Sequence, residues 1–165
     1  MKKFFTTSIM LIVTLTGMMT VSAQDCIDYH KKKCKRTQET TNYGISPDSR
    51  SALLLKGQTS EFRLLIYQGK DYRITVCNDE ILGTNIQFKI IDYDTNEVLY
   101  DNKDYNYVKE FEFTVLMSRT VKIVVSVPDD SNTTAVNNSG FRAKPTSMGC
   151  VGVLIEDMIT PKKGF

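Results

Sequence analysis

The chain has no tryptophan, a single histidine and four prolines among its 165 residues. Without tryptophan, the commonest platform for stacking against sugar rings is missing. The one histidine, His30, sits beside Lys31, Lys32 and Lys33. A Ser–His or Cys–His catalytic pair therefore has one base to draw on, and nothing in the sequence marks its nucleophile. Nucleophile-elbow, metalloprotease, phosphate-loop and dinucleotide motifs are absent. So is any C-x-x-C pair, which removes the usual zinc spacing. These gaps point away from an enzyme and leave no cofactor or metal site to assign. Charge of one sign is lacking too, with 21 basic residues against 19 acidic ones. Lys2 and Lys3 are expected to leave with an N-terminal signal, which brings the balance to 19 against 19. A neutral chain argues against a general nucleic-acid binder or a membrane-surface binder.

What is present begins with that signal. Lys2 and Lys3 precede an uncharged stretch over residues 4–19, and Val21-Ser22-Ala23 supplies the small residues of a cleavage site. The apolar run is too short and too rich in threonine for a spanning helix. Cys26 follows an acidic Asp25, which fits a lipoprotein site poorly. Removing residues 1–23 leaves 142, the size of one domain with a real core. The expected location is periplasmic or secreted, with no span remaining after signal removal.

All four cysteines, Cys26, Cys34, Cys77 and Cys150, lie beyond the signal, and an even number in an exported chain reads as two disulfides. Residues 25–39 have the look of a short helix, with Asp25 as N-cap and Asp28 near its positive end. Along a helix, Cys26 and Cys34 stand about 12 Å apart. A disulfide wants Cα atoms about 5.5 Å apart. In residues 72–77, Tyr72, Ile74 and Val76 share one strand face and Cys77 points to the other. In residues 150–155, Val151, Val153 and Ile155 share a face that Cys150 avoids. This favours two bridges from an N-terminal arm to the body. The alternative, Cys26–Cys34 with Cys77–Cys150, stays open.

Past a turn-rich linker at residues 40–51, the apolar period is two. Short strands are expected at residues 52–55, 61–67, 72–77, 86–92, 97–100, 109–117, 121–127 and 150–156. They are separated by turns such as Lys56-Gly57-Gln58, Gln68-Gly69-Lys70 and Asp94-Thr95-Asn96. Such spacing predicts an all-β, two-sheet antiparallel β-sandwich of jelly-roll type, with a short N-terminal helical arm. The organisation reads as signal 1–23, basic Cys-containing arm and linker 24–51, sandwich 52–157 and tail 158–165. Residues 128–148 form a long polar loop, read as functional or disordered.

Residues 53–77, LLLKGQTSEFRLLIYQGKDYRITVC, resemble the secreted bacterial pre-peptidase C-terminal type of jelly roll. Residues 86–102, IQFKIIDYDTNEVLYDN, look like the hairpin of that family. The resemblance spans about residues 52–155 and implies a domain that assists binding, secretion or solubility beside a secreted enzyme. No catalytic domain is attached here, and the Cys-bearing arm departs from the pattern, which suggests a free-standing version. The overall look is also similar to small exported proteins of Bacteroidota-type bacteria.

Candidate binding residues fall in two groups. Tyr100, Tyr105, Asn106 and Tyr107 form an aromatic and amide-rich stretch suited to a contact surface. Lys31, Lys32, Lys33, Lys35 and Arg36 form the one charge block, suited to an acidic partner. Asp92, Asp94 and Asn96 match the first three ligand positions of a calcium loop. Glu97 then replaces the required glycine and Lys103 the bidentate glutamate, so a hairpin turn is the simpler reading. Glu110 and Glu112 alternate with Phe111 and Phe113, as on the solvated face of a strand, rather than forming a glycosidase pair. The expected function is a non-enzymatic, exported protein-interaction subunit of the envelope or secreted space. A carbohydrate- or calcium-dependent ligand-binding module is the alternative, with a glycan in place of the protein partner.

Overall fold

In the computed structural model of the chain, residues 26–34, 42–129 and 147–161 are described. The expected signal, Lys35 and Arg36, most of the loop 128–148 and the end of the tail lie outside them. Among these residues one short helix, α1 (Tyr29–Lys33), precedes nine strands. These are β1 (Gly44–Ile45), β2 (Arg50–Leu55), β3 (Thr59–Ile66), β4 (Lys70–Asn78) and β5 (Gln87–Asp92). The remaining four are β6 (Val98–Asp101), β7 (Glu110–Thr114), β8 (Arg119–Ser126) and β9 (Met148–Ile159).

Alternation of apolar and polar residues sorts the strands into two antiparallel sheets. A five-stranded sheet runs β1-β9-β4-β7, with β2 pairing the same edge of β9 as β1. A four-stranded sheet runs β3-β8-β5-β6. From β2 onward the pairing is nested: β2 with β9, β3 with β8, β4 with β7, β5 with β6. This is one long antiparallel ribbon wound over itself, the jelly-roll arrangement. The expected all-β sandwich with a short helical arm is therefore what the chain adopts. Gly57 and Gly69 take φ of 82° and 76° at the two tight turns flanking β3, a region that suits glycine alone without strain.

The core lies between the sheets. Ile74, Phe88, Val121, Ile123 and Ile155 are fully buried there. Each contributes about 1.5–3 kcal/mol relative to exposure.

Several boundaries differ from the sequence reading. The stretch expected to be linker holds β1 and the first two residues of β2. Its hydrogen bonds explain the difference, since Ser46 N–H donates to Ile155 O and the Ser49 hydroxyl donates to the same carbonyl. Within the described residues α1 is only five residues long, with Asp28 rather than Asp25 in its N-cap position. β7 stops at Thr114, three residues short of the expected end, because Val115 exchanges both backbone bonds with the Gly69-Lys70 turn. Leu116 and Met117 consequently leave the sheet.

Candidate functional site

The arm lies on the outer face of the five-stranded sheet. Cys26 bonds to Cys150 and Cys34 to Cys77, so both bridges run from arm to body. α1 is pinned between them. A Cβ added to Gly152 would stand 2.8 Å from His30 Cα, so β9 needs glycine directly beneath the helix. His30 is buried, and Ser51 Oγ stands 2.7 Å from its Nδ1 and accepts from its backbone N–H at 2.8 Å. Burial, reinforced by the Lys31 charge, holds its pKa below the ordinary value despite the opposing pull of Asp28. The ring is thus a neutral anchor of the arm. The Ser51 contact, made over 21 residues of separation, is one that sequence reasoning missed. Tyr29 packs with the Cys26–Cys150 bridge, and burial and Asp79 push its hydroxyl pKa upward.

On the same outer face lies a buried charge cluster. The Arg73 guanidinium donates to Glu112, stands 3.9 Å from Glu156 and sits 4.3 Å from the centre of the Tyr43 ring. Arg73 and Glu156 side chains are 2% and 0% exposed. Burial works against the guanidinium charge, but the carboxylates outweigh it and raise its pKa. Sequence alternation placed these residues on a polar face without showing that the face is covered.

The basic block is divided. Lys31 pairs with Asp28 at 3.0 Å, and Lys32 and Lys33 are exposed. Lys33 borders a polar cleft of about 650 Å³ shared with Tyr29, Asp79, Glu80, Lys109 and Glu110.

The tyrosine stretch forms a 3-10 turn at Asn102–Tyr105, followed by Asn106 and Tyr107 with φ of 54° and 56°. Its hub is Asn102, which the sequence placed with Asp104 and Asn106 beside the tyrosines as part of a contact surface but which is 1% exposed and structural. Asn102 Oδ1 accepts from Phe88 N–H, and its Nδ2 donates to the carbonyls of Ile86 and Val108. Tyr100 is buried, stacked on Phe111 at 3.7 Å and on Tyr105 at 5.5 Å. It has no free face for a sugar. Tyr105 and Asn106 are exposed, and Tyr107 is half-buried. Asp92, the first residue of the calcium-like run, is occupied in its hairpin. Its carboxylate accepts from Asp94 N–H and Thr95 N–H and pairs with Arg119 at 3.3 Å. Those backbone bonds, Thr95 foremost, hold its pKa low. Among the described residues, no group of His, Cys, Asp and Glu is arranged to hold a metal ion.

Among the described residues, several exposed apolar side chains gather at one side of the sandwich, where β6 and β7 form the edges of their sheets. Leu116 is 83% exposed and Met117 62%, with Val98 and Leu99 also exposed. Leu99, Leu116 and Met117 rim a cleft of about 270 Å³ whose floor includes Phe111 and Phe113. The opposite side differs: there Arg50 covers the Phe62 ring at 5.0 Å, and the gap is about 140 Å³.

No protein-family model matches the chain, so the pre-peptidase resemblance rests on its quoted strand and turn residues alone. No curated protein matches it either. Among solved structures it is similar to Aeromonas hydrophila PliG, a periplasmic lysozyme inhibitor of g-type lysozyme. The identity is 10% and the TM-score 0.47, over 73% of this chain and 92% of that one. A likeness of that size carries no inference about function.

Proposed function

We propose that the protein is a non-enzymatic, exported binding module that recognises another protein in the periplasm or secreted space. The observation that carries this reading is the apolar side between β6 and β7. Three large side chains, Leu99, Leu116 and Met117, face solvent around a cleft floored by phenylalanine. Isolated exposed apolar residues are ordinary, but a contiguous group beside an open cleft marks an interaction surface. The two arm-to-body disulfides support an oxidising location outside the cytoplasm. Tyr105 is exposed and stacks on Tyr100, which stacks in turn on Phe111 of the cleft.

The test is affinity capture of the tagged mature protein from the cell envelope of its own source, with a Leu116→Asp, Met117→Asp variant run alongside. A stoichiometric protein held by the native chain and lost by the variant is the expected result. A folded, monomeric protein with no partner, or a partner held equally by both, overturns it.

A further inference from the structure

We propose that Cys77 is a thiol–disulfide exchange site. A small dithiol enters the cleft beside it and reduces Cys34–Cys77, while Cys26–Cys150 stays closed. The arm then becomes a flap, fixed at Cys26 and released at Cys34. This goes beyond partner binding and does not depend on it.

The two bridges hold the same arm but stand in different surroundings. Cys26 and Cys150 are 3% and 6% exposed and pack with Tyr29 and Leu53. Cys34 is buried as well, but its partner Cys77 is half-buried. Of the four cysteines, Cys77 alone lines the cleft of about 650 Å³. On the β9 side Cys77 stands opposite Gly152, where an added Cβ would lie 3.0 Å from its sulfur. The cleft runs from Cys77 to Lys109 and Glu110, beside β7. Thiol–disulfide exchange depends on which sulfur an attacking thiolate reaches. Among the described residues, the cleft offers that access at Cys77.

A second observation concerns the product. Cys34 Sγ stands 3.6 Å from Gly152 O and 3.9 Å from Thr75 O. In the bridge this sulfur carries no proton, and these are contacts. As a thiol it has an S–H to donate, with both carbonyls in reach as weak acceptors. The reduced Cys34 is therefore received without the arm leaving the sheet. Stabilising the reduced form makes a bridge easier to reduce. The Cys26–Cys150 bridge and the His30–Ser51 contacts keep α1 in place meanwhile.

The exchange balances in two steps. One thiolate of the dithiol attacks Cys77 Sγ, a new S–S bond forms, and the Cys34–Cys77 bond breaks. Its electron pair leaves on Cys34 Sγ, which takes a proton from water. The second thiol loses its proton to water and attacks the reductant's own sulfur in the mixed disulfide. That closes the reductant's disulfide and expels Cys77 as a thiolate, which is protonated in turn. The protein gains two electrons and two protons, and the dithiol loses the same.

The folded, fully oxidised protein is treated with limiting dithiothreitol, quenched with iodoacetamide and digested, and the alkylated cysteines are located by mass spectrometry. Cys34 and Cys77 should be labelled about tenfold faster than Cys26 and Cys150. That rate should not change in low urea, whereas reduction by way of global unfolding accelerates with urea. With 2-mercaptoethanol, a monothiol that lacks the second sulfur, the adduct should sit on Cys77 and the alkyl label on Cys34. Equal labelling of all four, earlier labelling of Cys26 and Cys150, a rate that climbs with urea, or an adduct mainly on Cys34 overturns the proposal.

Discussion

The outer faces of the two sheets have opposite fates. On the four-stranded sheet, Glu61, Arg63, Lys89 and Lys122 stay in contact with water, and the ion pairs Lys122–Glu61 and Lys89–Asp101 span 3.6 and 3.2 Å. On the five-stranded sheet the equivalent rows hold Arg73, Thr75, Leu154 and Glu156, all buried, with the Tyr43 ring against Arg73. Both rows contain charges in alternation, so the difference does not arise in the strands. It arises from what lies over one face, the helix fastened by cysteines on β4 and β9 and, beside it, the Tyr43 ring against Arg73. Once water is excluded, the same residue types change from solubilising groups to structural ones, because a buried charge must keep its partner.

The sharpest way to break this contrast is to remove a charge from each face. Arg73→Ala strands the carboxylates around it and should cost about 3–5 kcal/mol in denaturant unfolding. Lys122→Ala on the open face should cost less than about 1 kcal/mol. Comparable losses at the two sites would erase the distinction. Next in size is the fastening itself. Cys26→Ser with Cys150→Ser opens a link across 124 residues and should cost about 2–5 kcal/mol, measured by thermal or denaturant unfolding. A stability unchanged by the pair would mean that packing alone holds the arm.

Gly152→Ala pushes a methyl against the His30 backbone and should cost about 1–3 kcal/mol. In protein lacking both bridges this penalty should shrink, because the helix is free to lift. An equal penalty in both backgrounds would place the clash elsewhere. The smallest effect is in pH. His30 has a folded pKa below its ordinary 6.5, so the unfolded chain takes up the proton first. Stability should be level above about pH 7 and fall as the pH drops through 6.5 toward the folded value. His30→Gln should flatten that segment of the profile, read as melting temperature against pH. An identical slope in the variant would assign the dependence to other groups.

These features were legible in the sequence to different degrees. Period-two alternation located β3, β5 and β8, because each buries one face and leaves the other wet. The position of Cys77 and Cys150 opposite their apolar rows pointed to something lying across the sheet. The burial of Arg73 and Glu156 was not legible, because a charge beside apolar neighbours reads as solvent-facing until a covering segment is placed. His30 and Ser51 meet only through the fold. Leu116 and Met117 continued the apolar pattern of β7 on paper, while the backbone bonds of Val115 to the Gly69-Lys70 turn ended the strand before them. Tyr100 admitted two readings, a contact surface or packing at the sandwich edge, and its ring takes the second, completing the aromatic stack with Phe111.

The nested ribbon also imposes an order on folding. β9 lies between β4 on one side and β1 and β2 on the other, and it carries the cysteine that closes on Cys26. The central strand of the larger sheet therefore emerges after the eight other described strands during synthesis. Until it arrives, β2 has no ladder, β4 has one neighbour in place of two, and the arm has only Cys77 to meet. Such long-range closure is slow and leaves strand edges open to intermolecular pairing meanwhile. A nascent chain of this design depends on protection until its final strand is delivered.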